Sequence, residues 1–356
     1  GHPMKVLVLY SEIAGYFISC VRRYVDLHGA EVHVVRWPIN PEAPFQFSDH
    51  PGIIYHERKD YDTAGLLKLA REINPDAVYV SGWIDKPYLK VARHFFRAGK
   101  PVIAAFDTQW RGDFRQRVAT WLSPFLFRRQ FTHVWVPGMF QYEYARRLGF
   151  ARERILTGMY SADTALFEAV YAPGVAAKAQ RYPHRILYVG RYLDYKGVLE
   201  LYHAFKELSE EQPHDWELLL VGNGPLKDEL KETPNIRFQD FVQPADLPKL
   251  AMEAGVFVLP SRRDAWGVVL HEFAAAGLPL ISTDAAGAIT AFVKEGYNGF
   301  VHRRNDKASL KAVFQDLIAR SDDELREMGK RSHELSKQIS PDTWAATLHH
   351  VTEGKG

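Results

Sequence analysis

Two cations follow an apolar run closely in the sequence. Residues 185–189 are typical of a buried strand, and Gly190 at its end lets the backbone turn tightly. Arg191 offers a two-pronged guanidinium and Lys196 a point charge, so both can reach one site above a sheet. Such a pair suits a diphosphate, because fixed positive charge stabilises a departing nucleotide. The alternative interpretation is two solvated cations beside a turn.

Two carboxylates, Asp264 and Glu272, lie eight residues apart around a predicted loop-to-helix junction at Gly267, downstream of the apolar strand 256–259. The free N–H groups of a helix start attract anions, and the Glu272 side chain tilts back toward that end of its helix. Carboxylates that flank a sugar can act as acid and base in hydrolysis, or they can accept hydrogen bonds from sugar and ribose hydroxyls. The nearby cations favour binding.

Glycine-rich turns follow two more predicted strands. Gly222, Asn223 and Gly224 follow the strand 216–221, and Gly15 closes the loop after the first strand, 5–10. These turns would bring backbone close to a ligand, although glycines at such junctions also serve packing alone.

Composition limits the class of protein. The chain has 356 residues, which predicts two domains, and its net charge of +2 gives no case for nucleic-acid binding. Cys20 is the only cysteine, so an intramolecular disulfide and a cysteine metal cluster are excluded, which fits a reducing cytoplasm. No apolar run has the length of a membrane span, and no segment resembles a signal peptide. Among the 15 histidines, His271 has no second ligand one helical turn away, and we expect no metal site.

Strands and helices alternate along the chain, which predicts an α/β fold with two parallel-sheet domains in tandem. We place the first at residues 4–165 and the second at 166–338, with residues 172–183 as a linker and 225–231 as a helix. Residues 339–356 would form a last helix that returns to the first domain. The crevice between two such domains is the default ligand site.

The motifs together, in order and spacing, resemble the GT4 family of retaining glycosyltransferases, which have the GT-B fold of two Rossmann-like domains facing across a crevice. The resemblance covers residues 154–302, and over residues 4–153 it extends only to architecture. The segments that carry it are 162–167, Gly190-Arg191, Lys196-Gly197, 221–225, 256–277 and Asn298-Gly299-Phe300.

The resemblance implies a nucleotide-sugar site in the second domain and an acceptor site in the first. Arg191 and Lys196 would bind the donor diphosphate, Asp264 the sugar hydroxyls beside the reacting carbon, and Glu272 the ribose. The remaining donor-binding residues would be Gly15, Gly190, Asn223, Gly224, Trp266, the backbone N–H groups of Gly267 and Val268, and, near the base, the backbone of Phe241 and Val242.

The sequence departs from the family pattern at four places. Asp264 replaces the usual glutamate and is one methylene shorter, and Ala14-Gly15 replaces a Gly-Gly loop. The family's histidine after the fourth strand is not evident in residues 106–110, where Asp107 and Trp110 are the candidates for the acceptor side. Residues 288–290 replace its glutamate after Gly287.

The predicted function is therefore a metal-independent, retaining transfer of a sugar from a nucleoside-diphosphate sugar to an acceptor hydroxyl. UDP- or GDP-sugars are the expected donors, and a glycan or lipid-linked saccharide, as in polysaccharide or glycoconjugate assembly, the expected acceptor. Two alternatives stay open: a phosphorylase or epimerase on the same architecture, and a catalytically silent nucleotide-sugar-binding partner. No further cofactor is expected.

Residues 109–131 interleave arginines with aromatic residues. Five arginines stand there against one acid, Asp113, and residues 1–165 as a whole carry 22 basic against 16 acidic residues. The pattern indicates a helix on an anionic membrane surface or one that grips a lipid-diphosphate acceptor. The protein would then be cytoplasmic and peripheral on the membrane. The alternative is a core helix, broken at Pro124, with arginines at its rim.

Overall fold

The computed structural model describes residues 2–38 and 49–354, which form two compact units. Unit 1 comprises Gly1–Ser161 and Ile339–Gly356, and unit 2 comprises Ala162–Gln338. Within the described residues, no helix is long and apolar enough to cross a membrane.

Unit 1 is built on a seven-stranded parallel sheet of order β3-β2-β1-β4-β5-β6-β7. The strands are β1 (Lys5–Tyr10), β2 (Glu31–Arg36), β3 (Ile53–Glu57), β4 (Ala77–Ser81), β5 (Val102–Ala105), β6 (His133–Trp135) and β7 (Ile155–Leu156). The helices are α1 (Gly15–His28), α2 (Thr63–Ile73), α3 (Lys86–Arg97), α4 (Phe114–Leu122) and α5 (Met139–Arg147).

Unit 2 is built on a six-stranded parallel sheet of order β10-β9-β8-β11-β12-β13. Its strands are β8 (Arg185–Val189), β9 (Glu217–Val221), β10 (Ile236–Gln239), β11 (Val256–Leu259), β12 (Leu280–Thr283) and β13 (Gly299–His302). Its helices are α6 (Thr164–Glu168), α7 (Tyr171–Gln180), α8 (Val198–Glu211), α9 (Leu247–Met252), α10 (Val268–Ala275), α11 (Ile289–Phe292), α12 (Lys307–Ile318) and α13 (Asp322–Ser336).

The last helix, α14 (Pro341–Thr352), packs against α1 in unit 1. Ser340 and Thr343 form a capping box at its start. The Trp344 ring is buried, stacks on Trp135 with 4.9 Å between ring centroids, and donates from Nε1 to the carbonyl of Met159. The predicted return of this helix to the first Rossmann-like unit is confirmed.

In both sheets the strand order reverses beside the first strand of the unit. In unit 1 the order reverses between β1 and β4, and in unit 2 between β8 and β11. Ligands of doubly wound sheets bind at this point, outside the carboxyl ends of the strands, because the two flanking loops diverge there. The sheet order thus marks one candidate site in each unit.

Local details of the sequence interpretation need correction. Residues 172–183 are not a linker: α7 covers most of them, because the segment is rich in alanine and Pro173 lies in the first turn, where no intrahelical N–H is required. Residues 225–231 hold only a 3₁₀ turn, Pro225–Glu229. The sequence interpretation also missed the strands β3 and β7.

Candidate functional site

Two glycine-dependent loops meet above the sheet of unit 2. The Tyr192 N–H, after β8, donates to the carbonyl of Asn223, after β9, over 3.0 Å. A Cβ atom on Gly222, whose φ is +146°, would lie 2.0 Å from the Gly190 carbonyl oxygen, and one on Gly224 would lie 2.7 Å from the Tyr192 nitrogen. Only glycine permits this approach. The structure thus brings together the predicted residues Gly190, Asn223 and Gly224.

The loop after β11 joins the same cluster. The Arg262 N–H donates to the Tyr195 carbonyl over 2.8 Å. Gly197 has a φ of +73°, and a Cβ there would lie 2.0 Å from the Pro260 carbonyl oxygen. The loops on the two sides of the switch point are therefore in direct contact.

Arg262 ties these loops together with its side chain. Its guanidinium donates from Nε to Glu200 over 2.7 Å and from Nη1 to Asp194 over 3.0 Å. Glu200 lies in the first turn of α8, and Asp194 lies in the loop that carries Lys196. The sequence interpretation missed Arg262, since only the fold reveals partners more than 60 residues away.

We expect Arg262→Ala to raise the donor KM and lower kcat, with a combined loss in kcat/KM of roughly tenfold to a hundredfold, because small displacements of binding groups are costly. Initial-rate kinetics check this. Arg263→Ala is the matched control: the Arg263 guanidinium lies over the Tyr195 ring, at 5.0 Å from its centroid. Equal losses in the two variants would contradict a specific role for Arg262.

Lys196 and Asp264 form an ion pair at the centre of the cluster. Lys196 Nζ lies 3.3 Å from Asp264 Oδ2, and the Ser261 hydroxyl donates to the same oxygen over 3.4 Å. Both charged side chains are largely shielded from solvent, at 25% and 16% exposed. A diphosphate that binds Lys196 would thus lie next to a carboxylate able to accept hydrogen bonds from an attached sugar.

The start of α10 completes this edge. Gly267 caps the helix with a φ of +98°, and a Cβ there would lie 2.9 Å from a Leu259 methyl group. The N–H groups at Gly267 and Val268 begin a helix of eight residues, an arrangement that favours an anion.

The structure gives the predicted donor-binding residue Trp266 a different surrounding from the one expected. Its ring is only 2% exposed and packs edge-on near Phe292, and its Nε1 has no hydrogen-bond partner among the residues that the structure describes. The ring packs under the loop 284–288. The Ala288 N–H of this loop donates to the Trp266 carbonyl. The Trp266 side chain is therefore not accessible to a ligand.

Glu272 lies in α10 and is partly buried. Burial, together with the nearby carboxylate of Asp163, raises the pKa of Glu272 to about 8. Its neighbour His271 is fully buried: Nδ1 accepts from the Ala162 N–H over 3.1 Å, so Nε2 carries the proton that it donates to the Ser336 carbonyl. His271 therefore holds α10 in place.

The other predicted donor residues lie at the same edge of the sheet. Arg191 is exposed at the end of β8, where its carbonyl accepts a hydrogen bond from the Tyr188 hydroxyl. Phe241, 66% exposed, and Val242 follow β10, two strand positions away. That offset corresponds to roughly 10 Å, a distance suited to the base end of a nucleotide.

Unit 1 has a pocket of about 570 Å³ at its own switch point. The lining includes the loops after β1, β4 and β5, with Ser11, Ser81 and Asp107 among the polar groups. The Ser11 N–H donates to Ser81 Oγ, and the Tyr160 hydroxyl donates to Asp107 Oδ2 over 2.8 Å. The pocket is a second candidate ligand site.

Two predicted residues do not line this pocket. Trp110 turns away from it and packs against Tyr144, with the Arg147 guanidinium 4.5 Å from its ring centroid. Gly15 begins α1, and a Cβ there would meet nothing within 4 Å, so no close approach requires glycine. Of the acceptor-side candidates, the structure places only Asp107 in the pocket. Within the described residues, no group of three or more His, Cys, Asp or Glu could hold a metal ion.

Comparison with solved structures identifies the fold. The chain superposes on a glycosyltransferase from Rickettsia africae ESF-5 with a TM-score of 0.75 and 13% identity, covering 100% of this chain and 99% of that one. It superposes on Anabaena Alr3699/HepE in complex with UDP with a TM-score of 0.74 and 16% identity, covering 99% and 100%. The fold is GT-B, as the resemblance implied.

Sequence comparison finds a family match within unit 2. Residues 183–320 match the family described as glycosyl transferases group 1, and this segment contains Arg191, Lys196, Asp264 and Glu272. D-inositol 3-phosphate glycosyltransferase from Corynebacterium efficiens is 29% identical over 206 residues, 52% of this chain and 47% of that protein. CapM from Staphylococcus aureus, a capsular polysaccharide biosynthesis glycosyltransferase, is 30% identical over 148 residues, 39% and 37%. The chain spans less than half the length of these relatives.

Proposed function

We propose that the protein transfers a sugar from a nucleoside-diphosphate sugar to an acceptor hydroxyl. The observation that carries the proposal is the contact between Lys196 and Asp264 beside the start of α10, inside the segment that matches the glycosyl transferases group 1 family. This edge offers a cation and backbone N–H groups to a diphosphate, and a carboxylate to a sugar. The UDP complex of the similarly folded Anabaena protein supports the same class of ligand.

Each residue of the cluster then has a role in donor binding. Arg191, Lys196 and the N–H groups at the start of α10 hold the diphosphate. Asp264 accepts hydrogen bonds from the sugar hydroxyls, and Glu272 from the ribose. Because the two cations supply the positive charge, the reaction requires no divalent metal ion.

The reaction proceeds with retention of configuration at the anomeric carbon. The bond between that carbon and the diphosphate oxygen breaks while the acceptor oxygen attacks from the same face. The acceptor proton passes to an oxygen of the departing phosphate. No protein nucleophile takes part, and the stabilisation of the leaving diphosphate by Arg191 and Lys196 lowers the barrier.

UDP- and GDP-sugars are the proposed donors, and a saccharide or lipid-linked saccharide is the proposed acceptor. The acceptor pocket is the 570 Å³ cavity of unit 1, where Asp107, oriented by Tyr160, accepts from a hydroxyl. The capsular polysaccharide role named for CapM supports an acceptor of this class.

A thermal-shift panel of UDP-, GDP-, ADP- and TDP-sugars tests the proposal. Since a ligand that binds only the folded protein stabilises it in proportion to the logarithm of its concentration over Kd, we expect one nucleotide class to raise Tm by several degrees. The same panel on Lys196→Ala should give no shift at equal concentration. Equal shifts in both proteins, or none in either, would count against this donor site.

A further inference from the structure

An exposed apolar patch lies on unit 1, outside both candidate sites. It consists of Phe114, Trp121, Phe125 and Leu126, which are 82%, 77%, 62% and 43% exposed. Phe114 and Trp121 lie seven residues apart in α4, on one face of the helix, and Phe125 follows one turn later. Single exposed apolar residues are ordinary, whereas a contiguous group marks an interaction surface.

The segment that carries the patch is held firmly. The buried amide of Gln116 accepts from the N–H groups of Arg111 and Gly112 and donates to the Gln109 carbonyl. The buried Ser123 hydroxyl donates to the Leu148 carbonyl over 2.6 Å. Further along, Phe127 turns inward and packs on Trp83. The aromatic rings therefore project to solvent from a segment whose buried polar side chains are hydrogen-bonded.

Five arginines lie in the same segment as the patch, and the Arg129 guanidinium lies 5.5 Å from the Phe125 ring centroid. All are exposed, and among the residues that the structure describes none of their guanidinium groups is within ion-pair distance of a carboxylate. These flanking arginines are Arg111, Arg115, Arg117, Arg128 and Arg129. The one acid of the segment, Asp113, caps α4 by accepting from the Gln116 N–H. The surface thus combines large aromatic side chains with an uncompensated positive charge.

We infer that this surface adsorbs to an anionic lipid bilayer. Trp and Phe insert at the boundary between headgroups and acyl chains, while arginines beside them meet the lipid phosphates. A second copy of the chain is a poor occupant, because a two-fold contact would oppose five arginines to five arginines. The inference goes beyond the proposed function, since adsorption requires neither donor nor acceptor.

Co-sedimentation with vesicles tests this surface. We expect the protein to pellet with vesicles of phosphatidylcholine and phosphatidylglycerol, much less with phosphatidylcholine alone, and less at high salt. Trp121→Ser/Phe125→Ser should weaken binding at least about tenfold, because the inserted rings are lost. Arg111→Gln/Arg115→Gln/Arg129→Gln should also weaken binding at least about tenfold, since three charges that attract the lipid phosphates are removed.

Matched controls separate this surface from general charge or hydrophobicity. Leu27→Ser/Tyr297→Ser removes two other exposed apolar side chains, and Lys206→Gln/Lys231→Gln/Arg237→Gln removes three positive charges from unit 2. Both controls should bind as the unaltered protein does. The inference is overturned if the two vesicle types bind equally or not at all, or if patch and control variants behave alike. It is also overturned if the patch variants convert a dimer in solution to a monomer.

Discussion

Lys196→Ala is expected to lower kcat/KM for sugar transfer by about 10²–10³-fold. Lys196 provides a fixed positive charge where the leaving diphosphate gains negative charge, and the loss of one such preorganised group typically costs this much. Arg191→Ala should have an effect of the same size, and in both variants the donor KM should rise while kcat falls. Transfer and donor hydrolysis are measured together, because both break the same bond.

Two further variants isolate the charge effect. Lys196→Arg keeps the positive charge beside Asp264 and should retain more activity than Lys196→Ala, although the guanidinium is wider than an ammonium group. Lys206→Ala removes an exposed lysine of α8 and should leave the rates unchanged. Near-native rates in both Arg191→Ala and Lys196→Ala would contradict the assignment of the diphosphate site.

Glu272→Gln is expected to change donor affinity and the pH dependence of stability. With a pKa raised to about 8, the Glu272 carboxyl is mostly protonated in the free protein at neutral pH. The ionised carboxylate is a pure hydrogen-bond acceptor, so ribose hydroxyls bind it better than the protonated carboxyl. Donor binding should therefore cause Glu272 to ionise and release its proton to solvent. Donor affinity should therefore rise as pH increases from about 6 to 8. Glu272→Gln should lose this dependence and about tenfold in affinity, as titration calorimetry would show.

The stability effect has a definite sign. The folded protein holds a proton on Glu272 that the unfolded chain releases near pH 4.5, so stability falls as pH rises from there to about 8. Glutamine never ionises. At pH 9, Glu272→Gln should therefore have a larger free energy of unfolding than the unaltered protein, by several kcal/mol, since each unit of pKa shift corresponds to about 1.4 kcal/mol. At pH 5 the two proteins should differ little.

Asp163→Asn tests the cause of this shift. It removes the second cause of the raised pKa and should move the pH dependence of donor affinity to lower pH. An affinity that does not vary with pH in the unaltered protein would argue against the ribose role of Glu272.

Much of the fold follows from short-range patterns. Apolar runs such as 102–105 and 256–259 are buried on both faces of a parallel sheet, so the sequence shows their character directly. The strand β3 gives a poor signal, because it lies at the sheet edge and its side chains are only partly buried. The error at 172–183 arose because proline and glycine look like a linker, whereas the position of Pro173 in a first turn is compatible with a helix.

Site residues could be predicted from the sequence where the residue type itself indicates the chemistry. Lys196 and Asp264 were predicted from charge and spacing, and the structure places them in contact. Side-chain direction was not predictable: Trp266 and Trp110 turn into packed surroundings that only the fold defines. The role of Arg262 and the raised pKa of Glu272 depend on neighbours distant in sequence, which no local pattern reveals.

Hydrogen–deuterium exchange with and without the nucleotide sugar selected by the thermal-shift panel tests the central claim most directly. Binding at the switch point of unit 2 should slow exchange at residues 190–197, 222–226 and 264–268, because their N–H groups lie against the diphosphate or in the loops that hold it. In Lys196→Ala at equal concentration this protection should be absent. Saturating nucleotide sugar that leaves these three segments unprotected in the unaltered protein would contradict the account.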